Sequence, residues 1–124
     1  MKKIFLATLA LVGTYGMAEA ANVLTVNNLT GCTYTLSISG AGYATIGPGV
    51  TIINSFPTAN IDFVKIMYTF GGGAVTQVNV GITQPYHNSM GQPTPPCITA
   101  SGSTLFTGSW AQASPTANAA LVIF

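Results

Sequence analysis

Apolar and polar side chains alternate along much of the chain with a period of two. The clearest example is residues 32–39, where Cys32, Tyr34, Leu36 and Ile38 fall on one face and threonines and serines fall on the other. This alternation is typical of a β-strand with one buried face, whereas the period of an amphipathic helix is nearly absent. The pattern predicts about eight strands, at residues 22–28, 32–39, 43–46, 50–54, 60–70, 74–82, 97–107 and 119–124.

Clusters of glycine and proline separate the predicted strands, which favours an all-β antiparallel sandwich or a jelly-roll-like domain. No significant helix is expected outside the N-terminal segment. Residues 60–70 are apolar on both parities, as expected for a central strand that is covered on both faces. Residues 83–96 are rich in proline and are predicted to form the longest loop, and residues 109–118 are small and polar around Trp110.

Residues 1–20 have the pattern of a bacterial signal peptide. Lysines precede a short apolar run at residues 4–12, and residues 18–20 (Ala-Glu-Ala) place small side chains where a signal peptidase reads. The run is shorter than the roughly 20 residues that a membrane-spanning helix needs, and no later segment is expected to form such a helix. We therefore predict that the mature protein begins at Ala21. A single β-sandwich domain at residues 21–124 would then function outside the cell, at the cell surface or in the periplasm of a bacterium.

Beyond residue 20 the chain is almost without charge, because Asp62 is the only acid, Lys65 the only lysine and His87 the only histidine. Nucleic-acid binding is excluded, since phosphate neutralisation needs several Lys or Arg side chains. The lack of net charge also removes the repulsion that keeps proteins apart in solution. Asp62 and Lys65 lie three residues apart in a predicted strand, so their side chains point to opposite faces and each is expected to reach solvent.

Side chains that support catalysis are equally scarce, and the protein is predicted not to be an enzyme. Asp62 and His87 are the only candidates for the acid and the base of a Ser–His–Asp unit. Glycoside hydrolysis normally needs two carboxylates, and metal catalysis needs about three strong ligands. We therefore expect neither a cofactor nor a bound metal.

Cys32 and Cys97 are the only cysteines, and pairing is the default for two cysteines in an exported protein. By loop-closure entropy, such a bridge would stabilise the domain by about 4 kcal/mol. A competing interpretation is a lipobox, because residues 29–32 spell Leu-Thr-Gly-Cys and the cysteine of a lipobox is acylated. Cys32 lies too far from the apolar run at residues 4–12 for that. Lipidation would also remove the strand at residues 22–28 and leave Cys97 without its partner.

The segment NNLTGCTYTLSISG, followed by IGPGVTI, resembles small exported bacterial β-sandwich proteins of mostly unassigned function. Within it, Cys32, Tyr34, Thr35 and Leu36 also resemble the first strands of thaumatin-like proteins. That resemblance implies a sandwich and a bridge from Cys32 to a cysteine near the C-terminus, which is consistent with Cys97. The other cysteines and the acidic cleft residues of that family are missing here, so the resemblance transfers no active site.

The candidate ligand-binding residues are Tyr86, His87 and Asn88, in the predicted loop at residues 83–96, together with Trp110. Loops on a rigid sandwich often carry binding residues, and aromatic rings in neutral polar surroundings would suit a neutral glycan. The competing interpretation places Trp110 in the core and leaves His87 as a solvated loop residue.

Three classes of function follow from these features. We favour a structural or self-associating extracellular protein, because unpaired strand edges are templates for association unless charge, proline or a bulge blunts them. The alternative is an extracellular module that binds a neutral glycan or a protein partner. A lesser alternative is a small outer-membrane β-barrel, suggested by the final AALVIF and disfavoured by the proline-rich loop and the cysteine pair. Residues 28–30 also spell a glycosylation sequon, which the bacterial type of the signal peptide makes uninformative.

Overall fold

A computed structural model describes residues 20–100 and 102–124. The predicted signal peptide therefore lies outside the described residues, apart from Ala20. Within the described ranges the chain forms nine strands in two sheets, which confirms the all-β prediction, and no helix there is long and apolar enough to cross a membrane. The elements are β1 (Val23–Asn28), β2 (Tyr34–Ile38), β3 (Gly42–Ile46), β4 (Gly49–Asn54), β5 (Phe63–Phe70), a single 3₁₀ turn (Gly71–Gly73), β6 (Ala74–Gly81), β7 (Tyr86–Asn88), helix α1 (Pro96–Ala100), β8 (Thr107–Gln112) and β9 (Ala119–Ile123).

The two sheets contain five and four strands. The five-stranded sheet has the order β4-β1-β9-β8-β7, and the four-stranded sheet has the order β3-β2-β5-β6. Neighbouring strands are antiparallel, as in the predicted sandwich, except for β1 and β9, which run parallel. Parallel neighbours need a long connection, and here nearly the whole described chain lies between β1 and β9.

The strand order places two sheet edges on each side of the molecule. The chain passes from β3 to β4 through Gly47 and Pro48 and changes sheet as it does so, which brings these two edge strands together on what we call the β3–β4 side. β6 and β7 are the edge strands of the opposite side, the β6–β7 side, and they contact each other.

The core lies between the two sheets and confirms the predicted strand face at residues 32–39. Cys32, Tyr34, Leu36 and Ile38 are all buried. An aromatic cluster fills one end of the core, with ring centroids 5.1 Å apart for Tyr34 and Phe106 and 5.2 Å apart for Tyr68 and Phe106. Aromatic pairs at these separations add to the stabilisation that burial of their surface supplies.

The strand predicted at residues 60–70 begins later and is covered on only one face. β5 starts at Phe63, because the backbone N–H and C=O of Ile61 bond to side chains rather than to a neighbouring strand. β5 is central within the four-stranded sheet, but Lys65 and Thr69 are exposed on its outer face. The apolar residues of that face, Phe63 and Met67, are only half-buried, so the expectation of two covered faces was wrong.

The prediction also misplaced the strand in the second half of the chain. Residues 97–107 were expected to be a strand, yet α1 begins at Pro96, a residue that suits the first turn of a helix because it needs no N–H partner there. The strand β8 lies instead in the small, polar stretch around Trp110. Its inward face includes Gly108, where a Cβ would come within 3.0 Å of the side chains of Ile66 and Val80. Close packing of the two sheets therefore requires glycine here, and an inward glycine erases the alternation that marks a strand.

Candidate functional site

The four residues predicted to bind a ligand lie on two neighbouring strands but face opposite sides of their sheet. Tyr86, His87 and Asn88 form β7, and Tyr86 lies opposite Ser109, one residue from Trp110. Because side chains alternate along a strand, Tyr86 and Asn88 face outward, whereas His87 and Trp110 face inward. The structure therefore does not gather the four residues on one surface. β7 was not predicted from the sequence, because three residues are too few to show an alternation of apolar and polar side chains.

His87 bridges the two sheets and is not a solvated loop residue. Its Nδ1 atom lies 2.9 Å from the backbone oxygen of Asn79 in β6 and 3.3 Å from the backbone nitrogen of the same residue. A ring nitrogen can donate to the oxygen or accept from the N–H, depending on its protonation. In either state the imidazole covers the backbone edge of β6 and ties it to β7.

Trp110 belongs to the core, where its ring is only 5% exposed. Its Nε1–H donates to the side-chain oxygen of Gln112 at 3.1 Å. The amide nitrogen of Gln112 in turn donates to the backbone oxygens of Ile61 and Ala117 at 2.8 and 2.9 Å. A ring face buried in this way is closed to stacking on a sugar in this conformation.

Asn22 is a buried polar residue that the sequence pattern did not single out. Its side-chain nitrogen donates to the backbone oxygens of Ile61 at 2.8 Å and Ala117 at 2.9 Å, and its side-chain oxygen accepts from the Ile61 N–H at 2.8 Å. Its own N–H donates to Ser55 Oγ at 3.0 Å. Asn22 thus holds three connections at one end of the sandwich. No local signal distinguishes it from an asparagine on the surface.

Asn28 stabilises the turn at residues 29–31, which is part of the segment that resembles a lipobox. Its side-chain nitrogen donates to the backbone oxygens of Cys32 and Gly47, at 2.7 and 3.1 Å, and its side-chain oxygen accepts from both the N–H and the hydroxyl of Thr30. Residues 29–31 therefore form a hydrogen-bonded turn that leads into β2. The side-chain nitrogen of Asn28, to which a glycan would be attached, is buried and donates two hydrogen bonds. It is therefore inaccessible to glycosylation in the folded protein.

Two buried phenols attach flanking loops to the core. The hydroxyl of Tyr34 lies 3.0 Å from Thr30 Oγ1, and that of Tyr68 donates to the backbone oxygen of Pro93. Burial raises the pKa of Tyr34, an effect that the bond to Thr30 opposes and nearby Tyr68 reinforces, and burial likewise raises the pKa of Tyr68. Both phenols therefore remain neutral.

Cys32 and Cys97 form a disulfide, as predicted, with their Cα atoms 5.5 Å apart. Cys32 is buried just before β2, and Cys97 lies in α1, partly buried against the core. The bridge therefore fastens the proline-rich segment and its short helix to the start of a central strand.

On the β6–β7 side, the chain itself covers the backbone edge of β6 at Asn79 and Gly81. Beside Asn79, which His87 covers, the N–H and C=O of Gly81 both pair with Gln84 at 3.0 Å. Gln92 reaches the hydroxyl of Thr76 from the loop that follows β7. β7 itself has only three residues and follows a proline, and both features blunt a strand edge.

The β3–β4 side leaves β4 open. The N–H of Ser55 donates to the backbone oxygen of Asn22, which sets the alternation of the ladder between β4 and β1. Residues 49, 51 and 53 consequently direct their backbone groups toward β1, whereas Val50, Ile52 and Asn54 direct theirs away from it. In the described part of the chain no strand of the five-stranded sheet lies beyond β4. These N–H and C=O groups are thus free to pair with another strand.

The open strand also presents apolar side chains. Val50 is 65% exposed and Ile52 is 66% exposed. Both belong to the outward surface of the five-stranded sheet, which we call the outer face. Its side chains form two rows across the strands: Ile52, Thr25, Ala120 and Ala111 in one, and Val50, Asn27, Val122, Ser109 and Tyr86 in the other.

The outer face carries no charged side chain in the described ranges. Lys65 projects from the opposite surface of the molecule, in the four-stranded sheet, and Asp62 lies in the connection before β5. β4 (GVTIIN) also lacks proline, and its register with β1 runs without a bulge. None of the common devices that prevent edge-to-edge pairing is therefore present on this strand.

The four-stranded sheet offers only a shallow depression as a small-molecule site. It encloses about 180 Å³ and is lined chiefly by Thr33, Thr35, Thr69 and apolar neighbours. Side chains of His, Cys, Asp and Glu do not gather in groups of three anywhere in residues 20–100 and 102–124. The open edge of β4 and the outer face are therefore the most distinctive functional surface of the described structure.

We compared the chain with protein-family models, with curated proteins and with solved structures, and nothing matched.

Proposed function

We propose that this protein is exported through its N-terminal signal peptide and works outside the cytoplasm as a non-enzymatic, self-associating structural protein. The observation that carries the proposal is the open edge of β4, with its exposed Val50 and Ile52. Unpaired backbone groups and apolar side chains on one flat strand are a template for another strand.

Two further features support the proposal. The disulfide between Cys32 and Cys97 is compatible with an oxidising compartment, as expected for an exported domain. The near absence of charge means that electrostatic repulsion between copies is weak. Association of this kind would be insensitive to salt, because it depends on backbone hydrogen bonds and apolar contact.

Ile52→Lys is expected to weaken self-association at least tenfold. The substitution places a charged side chain on the open edge, which is one means by which edge strands avoid pairing, and it brings the lysines of two copies close to each other. Sedimentation velocity over a range of concentrations of the mature protein measures the effect. Gln77→Lys is the matched control, because Gln77 is exposed on β6, at the opposite side of the molecule from β4, and receives the same charge.

The control variant should associate as the unmodified protein does. A strictly monomeric unmodified protein at the highest attainable concentration would contradict the proposal, and so would equal weakening by both lysines. Association that salt abolishes would point instead to an electrostatic contact.

Tyr86 favours a second candidate function, the binding of a neutral glycan. Its ring is 60% exposed on the outer face, beside Ser109 and near the polar side chain of Asn88. An exposed aromatic ring flanked by hydroxyl and amide groups suits stacking on a sugar. Trp110 would contribute here only as part of the core beneath β8.

Tyr86→Ala should abolish retention on a glycan array if this second function holds, with at least a tenfold loss of signal and an unchanged thermal midpoint. Tyr43→Ala is the control, since Tyr43 is an equally exposed tyrosine on the four-stranded sheet. Absence of any glycan that the unmodified protein retains would exclude this candidate.

A further inference from the structure

We infer that self-association pairs β4 with β4 of a second copy of this chain, antiparallel about a two-fold axis beside Thr51. The inference rests on the proposed function and specifies its partner, its register and its stoichiometry. The five-stranded sheets of two copies would become one continuous sheet.

The backbone geometry allows few registers. Only the alternate residues Val50, Ile52 and Asn54 direct N–H and C=O groups to the open edge. In an antiparallel pair, residues that exchange both hydrogen bonds lie opposite each other, so these positions must face one another across the axis. The two-fold axis must then pass beside residue 51, 52 or 53.

The side chains select among these registers. With the axis beside Thr51, each Val50 lies opposite Ile52 of the other copy, so that apolar surface meets apolar surface on both sides. With the axis beside Ile52 or Ile53, Asn54 lies opposite an apolar residue within β4 and its amide loses contact with water. With the axis beside Thr51, Asn54 lies beyond the paired residues of β4, opposite the proline that precedes that strand. Burial of an amide without a partner is unfavourable, which favours the register about Thr51.

A two-fold contact through β4 limits the assembly to two copies. A filament requires a head-to-tail contact between two different surfaces, whereas a two-fold contact uses the same surface twice and closes. On the β6–β7 side, His87 covers Asn79 and Gln84 pairs with Gly81, so part of the edge that a head-to-tail contact would need already has partners.

Composition argues for a second copy rather than a different partner. Residues 42–56 form the β3–β4 side and contain no charged residue that could select a charged partner. Val50, Ile52 and Phe56 are exposed there, so this side can bury apolar side chains against a copy of itself. The side is as long as one strand, about 20 Å, and as wide as the spacing of about 10 Å between the two sheets plus their outward side chains. Its area is therefore roughly 500 Å² per copy. Such an area is below that of a permanent dimer and predicts dimerisation that depends on concentration.

Thr51→Cys tests the register directly. Residues opposite each other in a non-hydrogen-bonded pair have Cα atoms about 4.5 Å apart, a distance that a disulfide can span. Mild oxidation should therefore convert Thr51→Cys to a covalent dimer with at least ten times the yield of Gln77→Cys, whose cysteine lies on the opposite side of the molecule. Non-reducing electrophoresis measures the yield, and intact mass verifies that Cys32–Cys97 is retained.

Ile52→Pro supplies a second test that does not depend on cysteine chemistry. The Ile52 N–H points away from β1, so proline there removes a donor that only a second copy would use, and proline is tolerated at such edge positions. Association should fall at least tenfold while the thermal midpoint changes little.

The outcomes separate this inference from the proposed function. If the unmodified protein associates but Thr51→Cys remains a free thiol, the β4 pairing is wrong while self-association stands. Assemblies larger than two copies in sedimentation would show a head-to-tail contact, and equal cross-linking of Gln77→Cys would show that the cross-link is not specific to β4; either result overturns the two-fold arrangement. A protein that stays monomeric at every concentration removes both.

Discussion

Reduction of the Cys32–Cys97 bridge is expected to lower the free energy of unfolding by about 4 kcal/mol. The bridge joins residues separated by 65 positions, and without it the unfolded chain regains the conformational freedom of that loop. The bridge also holds α1 and the proline-rich segment against the core, so these should loosen first. Chemical denaturation of the oxidised and reduced protein measures the difference.

The Cys32→Ala/Cys97→Ala double variant controls for packing at this site. Cys32 is buried, so its truncation adds a cavity cost that reduction alone does not. The variant should be at least as unstable as the reduced protein and should not respond to reductant. A stability that reduction leaves unchanged would show that the loop is restrained by the sandwich itself.

Asn22→Asp is expected to lower the free energy of unfolding by about 3 kcal/mol. The replacement is nearly isosteric, but it exchanges the side-chain nitrogen for an oxygen that faces the carbonyl oxygens of Ile61 and Ala117. Each of these two oxygens then loses one of its two donors and keeps only Gln112, and a carboxylate is held out of water beside them. Thermal denaturation should show a fall of more than about 10 °C in the midpoint.

Asn27→Asp is the matched control for that substitution. Asn27 lies in β1, the strand that begins directly after Asn22, and it is half-exposed on the outer face, so the same chemical change should alter stability by less than about 0.5 kcal/mol. Equal effects at both positions would indicate that added charge, and not the buried amide network, governs the loss.

Several parts of the fold were predictable because they depend on local pattern. The alternation at residues 32–39 identified the buried face of β2, and the two cysteines identified the disulfide. The predictions that failed concern strands whose position depends on residues distant in sequence. β7 exists because β8 offers it an edge, and β8 was missed because Gly108 is inward where the two sheets approach most closely.

The candidate site divides in the same way. The sequence showed that residues 21–124 have almost no charge and that strand edges would lack one means of protection. It did not show that Trp110 and His87 face inward, since a polar or aromatic residue beside a turn can face either way until its strand is paired. The four predicted binding residues were therefore dispersed over two faces.

The sequence by itself determined the class of the fold, the covalent bridge and the near absence of charge, because composition and side-chain periodicity are properties of the chain before it folds. Only the tertiary structure decided which strands are central and which lie at an edge. In a strand with covered faces, Val50 and Ile52 would be ordinary core residues. Here they form an exposed surface, because β4 has a neighbouring strand on one side only. Strand order depends on pairing between distant segments, and no local pattern encodes it.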